Sequence, residues 1–146
     1  PRVAAALRLE VTHVYRHSVV TGMPLWLAEG IAEFFEVERG KRGLHASHLY
    51  LLNSELAAGR WRPDLKRLES LTDAAAMNQL DYAESWLWTH YLLSSREIKQ
   101  KPIIQAHLRQ LVEKGEAFPI SAAVDREVPD SEERLVWYLR DLNRLR

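Results

Sequence analysis

Apolar residues recur along this chain at steps of three and four, and no stretch alternates cleanly between apolar and polar positions. That spacing predicts helices throughout and no strands. Val3, Leu7, Val11, Val14 and Ser18 gather on one side of a helical wheel, which places a first helix over Arg2–Ser18, with Gly22 shortly beyond its end. A second is expected from Pro24, a residue suited to a first helical turn, to about Glu38, before Gly40 and Gly43 break the chain. Leu44–Ala58 reads as a third, closed by Gly59. The stretch from Arg60 to Gln79 is loop-rich, with a short helical turn at Leu65–Leu71. Asp81 is placed to cap a helix over Tyr82–Ser95. Gln105–Lys114, entered near Pro102 and stopped by Gly115, and a short Ile120–Arg126 follow. Ser131 with Glu132 and Glu133 opens the last helix, which carries Leu135, Val136, Leu139 and Leu142.

Composition narrows what such a bundle does. At 146 residues, 47% apolar and 27% charged, the chain has the size and make-up of one folded domain spanning 1–146. Twenty basic against twenty acidic residues argue against a nucleic-acid binder, and no apolar run is long enough to span a membrane. With no cysteine, any metal must be held by histidine and carboxylate. The chain opens on Pro1, so a piece of a longer protein is expected.

The informative chemistry falls on the first two predicted helices. Glu10, His13 and His17 project to neighbouring angles, away from the apolar stripe. In an H-E-x-x-H helix two histidines one turn apart bind zinc and the glutamate acts as general base on the metal-bound water. Here the five residues are Leu9-Glu10-Val11-Thr12-His13, with leucine at the first ligand position. Sixteen positions past His13 stands Glu29, within Pro24-Leu25-Trp26-Leu27-Ala28-Glu29-Gly30-Ile31-Ala32-Glu33-Phe34-Phe35-Glu36. Further on come Tyr82-Ala83-Glu84-Ser85-Trp86, then Leu87, His90 and Tyr91. Together these stretches resemble the gluzincin, or peptidase-MA-like, zinc metallopeptidase domains of bacterial proteins.

That resemblance implies an all-α chain, the helical part of a zincin-like domain whose upstream β-sheet is absent from it. It implies His13 and Glu29 as vestigial zinc ligands, Glu10 as a vestigial general base, and Tyr82 as a weak candidate for assisting an oxyanion. Catalytic zinc needs three protein ligands and an open position, and leucine offers no lone pair. The expected function is therefore a catalytically impaired metallopeptidase-like module, retained to bind a peptide or protein or to serve as structure. No cofactor is expected, with zinc entering only if the site is rescued. Two alternatives remain: an active metal-dependent hydrolase with a relocated site, using His17 beside His13 and Glu29, and a plain helical scaffold.

Simpler roles compete with each of these. Trp26, Leu27, Ile31, Phe34 and Phe35 are expected in or near the core, as are Trp86 and Trp88. Glu29, Glu33 and Glu36 share a helical face that would ordinarily be solvated. His45 and His48 form a second pair at i and i+3, but no carboxylate stands beside them in sequence, so they read as surface residues. The arginines between Arg134 and Arg146 are diluted by Asp130, Glu132, Glu133 and Asp141 into a mixed-charge face.

Overall fold

The spacing of Trp26, Leu27 and Ile31 is realised as α1, Leu25–Glu36, with the Pro24 carbonyl accepting from Leu27 N at 3.1 Å and Ala28 N at 3.0 Å. Proline thus stands just before the first turn. A computed structural model describes residues 22–36, 44–98 and 102–145. The predicted helix over Arg2–Ser18, with Leu9, Glu10, His13 and His17, lies outside them. The described residues form seven α-helices and one 3₁₀ turn, with no strand among them.

α2, Ala46–Ala57, starts two residues later than its apolar pattern suggests, because His45 is the N-cap: its side chain accepts from His48 N. The expected stop at Gly59 is present. Gly59 takes a φ of +74°, and Gly59 N and Arg60 N bond back to Leu56 O and Glu55 O, the double closure that a left-handed residue permits. α3, Leu65–Ser70, is capped by Asp64, and a 3₁₀ turn at Ala74–Ala76, capped by Asp73, breaks the expected loop.

α4 spans Gln79–Ser94, three residues earlier than expected. Its N-cap is Asn78 rather than Asp81. Asp81 sits three positions inside, where each side chain accepts from the other's backbone N–H, Asn78 Oδ1 at 2.8 Å and Asp81 Oδ2 at 3.0 Å. α5, Ile103–Lys114, ends on Gly115 at a φ of +75°. α6, Ile120–Glu127, has no cap of its own, but Glu69 of α3 accepts from both Ser121 N and Ser121 Oγ. α7, Ser131–Arg144, is preceded by Asp130 in the left-handed region.

α4 is the axis of the fold. It touches α1, α2, α3, α5 and α7, and every residue from Ala83 to Leu92 is buried. Trp26, Trp86, Trp88 and Tyr91 are fully buried, with Leu27, Leu49, Leu52, Leu68 and Leu87 around them, each such side chain contributing about 1.5–3 kcal/mol or more on leaving water. The expected core residues of α1 divide: Trp26, Leu27 and Ile31 are buried, while Phe34 and Phe35 pack against the core partly exposed.

The polar residues of α4 are accommodated one by one. Glu84 is 1% exposed, with Oε1 accepting from Trp61 Nε1 at 2.9 Å, and Oε2 from Asp64 N at 2.7 Å and Trp88 Nε1 at 3.1 Å. Burial holds its carboxyl above the ordinary carboxylate range, opposed by those three donors and by Arg67. Ser85 and Thr89 donate to carbonyls one turn back, at 2.7 and 2.8 Å. His90 Nδ1 lies 2.6 Å from the Tyr138 hydroxyl of α7.

Candidate functional site

The two motif-bearing helices, α1 and α4, meet at Gly30. A Cβ there would fall 2.1 Å from Thr89 Oγ1 and 2.6 Å from the Ser85 carbonyl oxygen, so only glycine lets the backbones approach this closely. The glycine that follows Glu29 and the serine of Tyr82-Ala83-Glu84-Ser85-Trp86 are therefore packing partners. Glu29 itself is partly buried. Glu10, His13 and His17 lie outside the described residues.

One turn beyond Glu29, Glu33 reaches the start of α2. Both of its carboxylate oxygens lie 2.9 Å from His48 Nε2, and the side chains are 22% and 13% exposed. His45 stacks on His48, ring centroids 3.7 Å apart and 15° from parallel. Beneath both imidazoles lies the indole of Trp86, with centroids 6.1 Å from His45 and 5.9 Å from His48. The histidines expected at the surface are thus half-buried against a core tryptophan. The carboxylate that the linear sequence did not place beside them comes from α1. Ligand-type atoms of Glu33, His45 and His48 all fall within 4.8 Å of one another.

The electrostatics of the cluster follow from its geometry. Burial, and then the neighbouring His48, push His45 below its ordinary pKa, opposed by Glu33 and more weakly by Glu36. Two stacked imidazoles resist carrying a charge each, and the lone pair of His45 Nδ1 is already taken up by the N–H of His48.

Glu33 and His48 also wall a groove of about 430 Å³, completed by Ser47, Tyr50, Leu51, Gln79 and Tyr82. Tyr82 is thus partly buried on the groove wall, and Tyr50 is 68% exposed. Glu29 is not among the lining residues. The only signal in the sequence for this cluster was the His45-x-x-His48 spacing; its third member lies twelve residues away, on a face that read as solvated. Elsewhere His107, 2% exposed, lies with Nδ1 2.9 Å from the Phe118 carbonyl, and its Nε2 has no partner among the described residues.

Among the described residues no helix is long and apolar enough to cross a membrane. Comparison with known proteins adds no relative to this picture: no family model, no curated protein and no solved structure matches the chain.

Proposed function

We infer that the chain is a catalytically impaired relative of the zinc metallopeptidases, kept as a binding or structural module. The observation that carries this reading is the crossing at Gly30. The two stretches on which the resemblance rests lie 50 to 60 residues apart, and Gly30 of the first packs against the Ser85 backbone carbonyl and Thr89 Oγ1 on the helix of the second, the close crossing that this reading needs.

Impairment follows from Leu9. Its isobutyl group supplies no lone pair, and His13 with Glu29 leaves two of the three protein ligands that catalytic zinc requires. A fold does not carry its chemistry with it. The groove beside α1, with Tyr50, Gln79 and Tyr82 on its walls, supports the binding role by offering apolar area and hydrogen-bonding groups to an extended peptide.

Substituting Leu9→His tests the reading. It is measured by zinc calorimetry in a His48→Gln background, which removes the stacked pair from the titration. The substitution is expected to add a binding event that disappears when Glu29→Gln is introduced alongside it, with affinity raised about a hundredfold by the third ligand. Peptide hydrolysis is expected to be absent from the parent chain. If Leu9→His binds zinc no better than its background, a plain helical scaffold replaces this reading.

A further inference from the structure

We propose that Glu33, His45 and His48 form a binding site for a divalent transition-metal ion of the zinc class, with one coordination position facing the groove. The site uses neither Glu10, His13 nor Glu29 and stands independently of the lineage inferred above.

The donor set is the first reason. Two imidazoles and one carboxylate are the ligand types that zinc and its first-row neighbours share, and three protein ligands with an open fourth place are what an exchangeable site needs. The distances are the second. Tetrahedral ligands on bonds of about 2.1 Å stand about 3.4 Å from each other. The three ligand-type atoms lie within 4.8 Å, so closure needs a movement on the order of an ångström. Glu33 already lies 2.9 Å from His48 Nε2, so the adjustment falls on His45, whose ring leaves the stack and the N–H of His48 to aim its lone pair at the ion.

Placement is the third reason. His48 is held between Glu33 and the Trp86 indole, with its Nε2 already facing the carboxylate, so two of the three donors are set before any ion arrives. A cation takes the place of the hydrogen between His48 Nε2 and Glu33, and the His48 ring binds as the neutral imidazole with its N–H on Nδ1.

Occupied, the site links α1 to the first turn of α2 across twelve residues of chain and stabilises the fold by mass action. The groove that Glu33 and His48 line together with Gln79 and Tyr82 would supply water to the remaining coordination position.

The test is titration of the whole chain with zinc(II) alone and with cobalt(II) alone near neutral pH. The expected result is one equivalent bound, visible absorption typical of four-coordinate cobalt, and a rise in Tm with zinc. His48→Gln is expected to lose about a hundredfold in affinity and Glu33→Gln about tenfold, with the zinc-induced rise in Tm gone in the first. Circular dichroism of the metal-free variants checks their folding. Glu33→Gln, on a partly exposed side chain, gives the reading should His48→Gln unfold. Absence of saturable binding by the parent overturns the proposal. So does binding that survives both substitutions, or that is lost on His13→Gln while Glu33, His45 and His48 are intact.

Discussion

A carboxylate that is 1% exposed survives in a core only if its neighbours replace the water it has lost, and Glu84 is surrounded on those terms by two indole N–H groups and one backbone N–H. The arrangement works in both directions, because the two indole N–H groups are on buried tryptophans and need the acceptor. Glu84→Ala strands all three, and a loss of about 3 kcal/mol is expected, seen as a fall in Tm of roughly 10 °C. Glu84→Gln keeps one acceptor and is expected to fall between the two. A calorimetric Tm within a degree of the parent for both variants would show that the donors find other partners. None of this was legible in the sequence, where nothing about Glu84 within the Tyr82–Trp86 stretch marks it as buried. Its partners, Trp61 and Asp64, lie in a segment that read as loop.

Between residues and the bundle, the helices show which local rules sufficed. Glycines marked the ends of α2 and α5 because a left-handed residue is costly for anything else. The start of α4 was misplaced by three residues because Asn78 and Asp81 are both good caps, and both are used, one at the cap and one inside it. No local rule marks Gly30, since glycine inside a helix ordinarily costs about 1 kcal/mol relative to alanine. Only the approach of α4 explains it. Gly30→Ala gains that intrinsic preference, yet its Cβ meets a backbone carbonyl that cannot rotate away, and overpacking of this kind costs about 3 kcal/mol. A net loss of about 2 kcal/mol is expected by urea unfolding. Adding Thr89→Ala is expected to restore only part of it, because the Ser85 carbonyl remains in the way. A stabilised Gly30→Ala would mean that α1 stands farther from α4 than described.

At the scale of the molecule, the all-helical character could be read from apolar spacing, but the identity of the central helix could not. Glu84, Ser85, Thr89 and His90 give α4 enough polarity to pass for a helix with a wet side. Their hydrogen bonds, satisfied within the helix or by Trp61, Asp64 and Tyr138, are what allow it to be enclosed. The same holds for Glu33 and His48, whose meeting is decided by how α1 and α2 pack, not by any pattern along either. Because five other helices rest on α4, its backbone amides can meet solvent only when the whole bundle comes apart. Native-state hydrogen exchange should therefore find residues 85–92 the slowest, with a denaturant dependence equal to that of global unfolding. Amides of α2 near the exposed Tyr50 should exchange at least about a hundredfold faster through local opening. If α4 exchanged as readily as α2, it would not be the axis of the fold. Otherwise the deuterium uptake of this one helix reads out the stability of the entire folded state.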